Sequence, residues 1–254
     1  MEHLTATTYL LAGLFFFIAF FYSTVGLGGG SSYTALLALF GIRHTTIPTI
    51  SLLMNIVVTS AGSLNFLLKR HGRFSLIAPF LVTSLPLTYL GGSLRISREF
   101  FYLLLFLALM PIAYRIYFGR TVAFPWKAEP VVKIGVSLLV GAVLGFLAGA
   151  TGIGGGIFLV PVIILLGFGT PREAAAAGSV FIWCNSVIGL AARVQSHPPD
   201  LSQIIPLAVA VAAGGWLGSF LGASRLAPAT LRKILGVILL AAMLFLGKEL
   251  ITLL

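Results

Sequence analysis

The sequence predicts an all-α, polytopic membrane protein built from two inverted-topology repeats, and three observations lead to that fold class. The chain of 254 residues is 59% hydrophobic and only 9% charged, a balance that a soluble domain could not keep. Apolar segments of membrane-spanning length recur along it. A glycine cluster occurs twice, at 26–30 and 152–156. We therefore expect a first repeat at 1–126 and a second at 127–254, within one membrane domain.

Six apolar segments are long enough to cross a bilayer, because roughly 20 helical residues span the hydrocarbon core. They lie at about 46–68, 74–93, 99–118, 172–192, 202–222 and 230–252. Two longer stretches, at about 9–41 and 134–168, each contain one glycine cluster. Short polar or basic stretches separate the segments, and the longest of these is a linker at Gly119–Lys133 with two prolines.

The two halves keep the same order of features. Residues 26–30 match 152–156 at an offset of 126, and Asn55 matches Asn185 at an offset of 130. The segment ends 91–95 and 221–225 also match at the offset of 130. Identity is weak elsewhere, but the conserved order and spacing predict a duplication.

The topology depends on whether each glycine-containing stretch crosses once or enters and returns as a pair of short helices. With single crossings, the 16 Lys and Arg residues divide 7 against 9 between the two sides. With returning stretches they divide 5 against 11, which the positive-inside rule prefers. We therefore predict inverted repeats in the cytoplasmic (inner) membrane, with both termini outside the cytoplasm.

Each glycine cluster is predicted to break a helix and to offer a place for an anion. Glycine costs about 1 kcal/mol relative to alanine inside a helix, so four within five residues should end one. A broken helix in lipid is tolerated only where protein or a water-filled cavity covers it, and matching breaks in two halves indicate a binding site. Converging backbone N–H groups and the positive end of the next half-helix suit an anion. The alternative is close packing of small residues between helices.

The predicted substrate-binding set consists of cluster glycines and of polar or aromatic residues near them. Its members are Gly28, Gly29, Gly30, Ser31, Ser32, Asn55, Thr151, Gly154, Gly155, Gly156, Trp183 and Asn185. The serines and Thr151 would cap the following helices and add hydroxyl groups. The two asparagines lie mid-span, where an amide must be hydrogen-bonded, either to a ligand or between helices. Trp183 would line a pocket or belong to the core.

The positions of the charged residues exclude several functions. All six acidic residues lie near segment ends or in loops, at Glu2, Glu99, Glu129, Glu173, Asp200 and Glu249. The usual intramembrane proton relay is therefore absent, and we predict no enzyme activity, no metal and no cofactor. The net charge of +10 is attributed to topogenic loop residues rather than to nucleic-acid binding. Arg193, at a segment end, is expected to extend towards the membrane interface.

The glycine motifs resemble those of the TauE/SafE family of sulfite and organosulfonate exporters. The residues that carry the resemblance are Gly26-Leu27-Gly28-Gly29-Gly30 and the run from Gly145 to Gly156 that precedes Pro161. The resemblance covers nearly the whole chain and implies transport, mostly outward, of sulfite, sulfoacetate, other sulfonates or small organic acids. The first half departs from the pattern, because Ser31 and Ser32 follow its cluster and it has no counterpart of Pro161.

The residues and the resemblance lead to the same functional prediction, a secondary transporter or exporter of a small sulfur-containing anion that is held at the paired glycine breaks. The alternative is a membrane assembly or scaffold subunit that uses the glycines for helix packing. The expected partners are the anionic substrate and the lipid bilayer, with no nucleic acid, and a homodimer is left open.

Overall fold

The computed structural model describes residues 2–40, 42, 46–94, 129–193 and 201–227, and helical positions at 229–231, 233, 234, 237, 240, 244 and 248. Over this part of the chain the regular structure is helical throughout, and five helices are long and apolar enough to cross a membrane. The prediction of an all-α polytopic protein is confirmed. The predicted span at 99–118, most of the span at 230–252 and the linker up to residue 128 lie outside the described residues.

Eight helices are described, in two groups of four with the same order of lengths. The first group is α1 (Glu2–Thr24), α2 (Gly30–Leu39), α3 (Ile47–Leu68) and α4 (Phe74–Ser93); the second is α5 (Pro130–Thr151), α6 (Gly156–Leu165), α7 (Pro171–Arg193) and α8 (Leu201–Ser224). In each group a long helix is followed by a helix of 10 residues and then by two more long helices.

Both glycine clusters end a long helix and begin a short one. α1 has 23 residues and α5 has 22, whereas the 10 residues of α2 and of α6 extend only about 15 Å. The predicted pair of short helices is therefore an unequal pair, because each cluster lies in the second half of its apolar stretch. α2 turns back along α1, since the rings of Tyr33 and Phe15 lie 4.5 Å apart and Leu37 and Leu11 share a core cluster.

Equivalent glycines make the two turns. Gly26 and Gly152 both have φ of +74°, a left-handed conformation that glycine adopts without steric cost. Gly29 and Gly155, which precede α2 and α6, have φ of +90° and +69°. The prediction that these clusters interrupt their helices is confirmed.

Two further sets of glycines, spaced four residues apart, pack neighbouring helices in parallel. Gly141, Gly145 and Gly149 of α5 lie against Phe80, Ser84 and Thr88 of α4, and Gly214, Gly218 and Gly222 of α8 lie against Phe16, Phe20 and Thr24 of α1. At each of these positions a Cβ atom would overlap the partner backbone. Close small-residue packing is therefore provided by these two ladders, which the sequence analysis did not identify as a pair.

The corresponding helices α3 and α7 of the two halves run antiparallel. α3 and α7 pack together with Gly62 near Ser179 and Leu52 near Gly189, so that sequence numbers rise along one helix as they fall along the other. When each helix is replaced by its counterpart in the other half, the same pairs of helices are still in contact. α1 packs on α8 as α5 packs on α4, and α3 packs on α8 as α7 packs on α4. The packing thus has an internal pseudo-twofold relation.

Candidate functional site at the paired glycine breaks

The two glycine clusters, far apart in sequence, are in contact in the structure. A Cβ atom on Gly30 would lie 2.7 Å from the carbonyl oxygen of Ile153, inside the second cluster. Residues 26–30 and 151–160 are all buried. The two helix breaks therefore form one continuous, enclosed region, with backbone from both halves on its surface.

Asn55 of α3 lies between the two clusters. Its side chain is fully buried, and its Nδ2 donates to the carbonyl oxygen of Ile153 at 3.2 Å. Its Oδ1 faces Gly28, where a Cβ atom would overlap it. No described residue donates a hydrogen bond to this Oδ1. An amide from the first half thus binds the break of the second half and keeps one acceptor unpartnered.

Asn185 of α7 is equally buried, but its hydrogen bonds go elsewhere. Its Nδ2 donates to the carbonyl oxygen of Phe181 at 2.8 Å, and its Oδ1 lies beside the hydroxyl of Thr88 on α4. That hydroxyl is also 2.8 Å from the carbonyl oxygen of Gly145 on α5. Asn185 is therefore hydrogen-bonded within α7 and across to α4.

The first cluster leads into a polar half-helix. Ser31 and Ser32 are half-buried, and the hydroxyls of Ser32 and Tyr22 lie 2.7 Å apart. The hydroxyl of Tyr33 is buried, has no partner among the described residues, and would lie 3.1 Å from a Cβ atom on Gly29. The first N–H groups of a helix have no acceptor within it, so the positive end of α2 is surrounded by hydroxyl groups.

The second cluster leads into an apolar half-helix. α6 buries Gly156, Ile157, Phe158, Leu159, Val160, Pro161 and Ile163, and no side chain caps its N-terminus at Gly155. The hydroxyl of Thr151 donates to the carbonyl oxygen of Leu147 at 2.8 Å and accepts from the N–H of Ile153 at 3.2 Å. Its hydrogen bonds therefore hold the broken end of α5.

Trp183 is set apart from this buried region. Its side chain is 39% exposed, and its indole N–H donates to Ser60 Oγ at 3.0 Å. Its neighbour Ile182 is 2% exposed and points at the glycine clusters instead. The helical period of α7 places consecutive residues on different faces, so Trp183 does not share the face of Ile182.

Ser186 and Arg193 have contacts in the structure that the sequence did not indicate. Ser186 is fully buried, lies beside Gly154 and has no partner among the described residues for its hydroxyl. Arg193 donates through Nη2 to the carbonyl oxygens of Gly149 and Ala150, both at 2.8 Å. Arg193 thus caps the C-terminal end of α5, because the last carbonyls of a helix lack helical partners and carry partial negative charge.

The described acidic side chains lie at the N-terminal ends of helices, whereas Arg193 binds the last carbonyls of α5 next to the second cluster. Glu129 and Glu173 flank the N-terminal ends of α5 and α7. Glu173 forms an ion pair with Arg73 at 3.4 Å. The paired breaks are therefore lined by backbone, hydroxyl and amide groups, with no acidic side chain among the described residues there and with the Arg193 guanidinium at the end of α5.

Comparisons with known proteins identify the family of this chain. The profile of the family described as "Sulfite exporter TauE/SafE" matches residues 11–246. The probable membrane transporter protein y4hK of Sinorhizobium fredii is 34% identical over 237 residues, which cover 91% of this chain and 95% of that protein. The probable membrane transporter protein YunE of Bacillus subtilis is 34% identical over 89 residues, or 35% of this chain and 31% of that protein. No solved structure matches the chain significantly. The chain therefore belongs to the sulfite exporter TauE/SafE family of membrane proteins.

Proposed function

We propose that the chain is a secondary transporter that carries a small sulfur-containing anion, such as sulfite, sulfoacetate or another organosulfonate, across the cytoplasmic membrane. The observation that carries the proposal is the contact between two helix breaks from different halves, with Asn55 between them. Paired broken helices at a repeat interface are the usual substrate site of transporters with internal repeats. The family and the names of the two relatives support a transport role.

The proposed ligand is an anion because backbone N–H groups and hydroxyl groups lie at the first break. The N-terminal N–H groups of α2 and the hydroxyls of Ser31, Ser32 and Tyr33 lie together, and such groups stabilise an oxyanion. The free Oδ1 of Asn55 is an acceptor, so it would take a protonated oxygen of the ligand or a bound water. No acidic side chain among the described residues lies at the breaks to repel the anion, and the Arg193 guanidinium at the end of α5 adds a positive charge beside the second cluster.

The proposed ligand set is narrower than the predicted set. Of the predicted residues it keeps Gly28, Gly29, Gly30, Ser31, Ser32, Asn55, Gly154, Gly155 and Gly156, which lie at or beside the contact between the breaks. We propose supporting roles for Thr151, Asn185 and Trp183, because their polar groups are bound to Leu147, Phe181 and Ser60 respectively.

We also propose that the halves have opposite orientations in the membrane. α1, α3 and α8 run in the same direction. α1 is parallel to α8, and Val58, Asn65 and His71 contact successively later residues of α8. α7 runs opposite to α3, and α4 and α5 run with α7. A pseudo-twofold relation between antiparallel spanning helices requires an axis in the membrane plane, as in inverted repeats.

The distribution of basic residues supports one orientation. The ends of α3 and α8 and the starts of α5 and α7 carry Lys69, Arg70, Arg73, Lys133, Arg172 and Arg225, whereas Arg193 lies at the opposite end. The positive-inside rule assigns the first of these ends to the cytoplasm. The N-terminus of α1 then lies outside the cytoplasm, and a reporter fused before Glu2 that reads as cytoplasmic would contradict this orientation.

Efflux from proteoliposomes tests the transport proposal. The full chain is reconstituted, and release of sulfite, sulfoacetate, thiosulfate and a carboxylate is followed at set membrane potentials. An inside-negative potential should accelerate release of a monovalent anion, because about 2.3 kcal/mol per charge per 100 mV favours its exit. No release of any sulfur-containing anion at any potential would favour the scaffold alternative. Gly13→Ala and Gly135→Ala are suitable controls, since a Cβ at either position would meet no atom within 4 Å.

A further inference from the structure

Ile182 of α7 fills the gap between the two glycine clusters. One methyl carbon, Cγ2, would lie 3.2 Å from a Cβ atom on Gly28 and 2.8 Å from one on Gly154. The rest of the side chain lies against Gly156, where a Cβ atom would overlap Cγ1 and Cδ1. A single apolar side chain thus contacts the first cluster and two glycines of the second, and it is 2% exposed.

Unpartnered polar atoms flank this apolar side chain. Asn55 Oδ1 lies beside Gly28 and Ser186 Oγ beside Gly154, the same two glycines that Ile182 Cγ2 approaches. Both polar side chains are fully buried, and neither atom has a partner among the described residues. Buried polar atoms are normally satisfied, so a ligand that satisfies these two must share the gap with Ile182.

We infer that Ile182 is the size-determining residue of the proposed site, one that favours a compact oxyanion such as sulfite and disfavours sulfonates with an organic substituent on sulfur. The inference rests on the proposed function. The substituent of a sulfonate would need the space that Cγ2 and Cδ1 fill. A closely packed interior accommodates extra volume only if its side chains move. A bulkier ligand must therefore displace Ile182 from the glycines.

The counterpart of Ile182 in the first half provides a matched control. At the offset of 130 residues this counterpart is Leu52, which is also fully buried. A Cβ atom on Gly189 would lie 3.4 and 3.5 Å from the two methyl carbons of Leu52, an ordinary van der Waals distance, about two helical turns along α7 from Ile182. Truncating either residue to alanine removes three carbon atoms from the core, but only Ile182 is among the nearest neighbours of the cluster glycines Gly28, Gly154 and Gly156.

The test compares wild type, Ile182→Ala and Leu52→Ala in proteoliposomes that contain the full chain. The ratio of kcat/KM for sulfoacetate to kcat/KM for sulfite should rise at least about 10-fold in Ile182→Ala, the effect of one methylene in an apolar pocket. Leu52→Ala should leave the ratio unchanged. Ile182→Val removes one methyl group and should raise the ratio by a smaller factor. This variant still tests the inference if Ile182→Ala folds poorly.

Failure of the inference and failure of the proposed function give different results. A wild-type protein that moves none of the sulfur-containing anions contradicts the proposed function. A wild-type protein that moves sulfite, with an unchanged ratio in both Ile182 variants, overturns the role of Ile182 alone. An equal change of ratio in Leu52→Ala would also overturn it, because the effect would then be a general result of a weakened core.

Discussion

The two glycine clusters share a backbone path but differ in the side chains around them. Gly26 and Gly152 have the same φ, and each cluster joins a long helix to a helix of 10 residues. The first leads into half-buried serines and the second into an apolar helix whose first six residues are all buried. Duplication has therefore kept the helix break, while the side chains make one break polar and the other an apolar anchor.

The two mid-span asparagines show the same division of roles. Asn55 binds the backbone of the opposite cluster and keeps a free acceptor beside Gly28. Asn185 binds its own helix and lies beside Thr88. Equivalent positions in a repeat thus hold one residue suited to a ligand and one suited to joining helices.

The largest expected effect comes from the shared feature, the backbone of the breaks. Gly29→Ala and Gly155→Ala place a side chain at a positive φ, which costs about 1–2 kcal/mol. The new Cβ atoms would also crowd Ile18 and Tyr33 in one case and Leu144 in the other. Both variants should lose most transport and show a lower unfolding temperature.

The control for that prediction is Gly135→Ala in α5, which has open space around its Cβ and should gain slightly in helix stability. Full transport by Gly29→Ala or by Gly155→Ala would show that the corresponding break is not needed in its present form. A loss confined to one cluster would show that the equivalent backbone breaks do not serve equivalent purposes.

The next effect separates the two asparagines. Asn55→Leu removes a polar group from the proposed site and should lower kcat/KM by about 10- to 100-fold, since a hydrogen bond to a charged group contributes about 1.5–3 kcal/mol. Asn185→Leu leaves the Thr88 hydroxyl with one acceptor fewer, so it should mainly lower the unfolding temperature. Efflux rates normalised to folded protein, with thermal unfolding in parallel, distinguish the two outcomes, and equal effects on both readouts would contradict the division of roles.

A smaller effect separates the hydroxyl groups of the two breaks. Replacing Ser31 and Ser32 together by alanine should raise KM by roughly 10-fold, because a hydrogen bond contributes about 1 kcal/mol. Thr151→Val removes a hydroxyl whose bonds are local, so it should lower stability and leave KM near the wild-type value. A larger KM effect in the threonine variant would indicate that the second break, not the first, binds the anion.

The smallest expected effect is on stability, and it compares two arginines at opposite ends of the molecule. Arg193→Gln removes a cation from the last carbonyls of α5 and should cost about 1 kcal/mol, within the range for charges at helix ends. Arg73→Gln breaks a pair in which the arginine side chain is 52% exposed, and such surface pairs contribute about 0–1 kcal/mol. Thermal unfolding should rank Arg193→Gln as the more damaging change, and the reverse order would count against this helix-capping role.

The sequence predicted the class of fold and the position of both breaks, because glycine clusters in apolar stretches have a strong local effect on the backbone. It did not predict the unequal helix pairs, although the off-centre position of each cluster was a usable signal. The glycine ladders of α5 and α8 were also visible, since their members recur every four residues and so share one helix face.

The division of roles between the two halves could not be read from the sequence. Asn55 and Asn185 have equivalent positions, and only the neighbours brought by other helices, Ile153 and Thr88, distinguish them. Arg193 similarly depends on a partner more than 40 residues away in the chain. Such pairings are set by tertiary packing, and local patterns carry no information about them.

The central claim is that an anion binds where the two breaks meet, next to Asn55. It is tested most directly by the rise in unfolding temperature that sulfite causes in wild type, Asn55→Leu and Asn185→Leu. At a ligand concentration of 100 times Kd, binding stabilises a protein by about 2.7 kcal/mol. Wild type and Asn185→Leu should show the rise, and Asn55→Leu should show little or none at the same concentration. A rise in Asn55→Leu equal to that in wild type would contradict the claim.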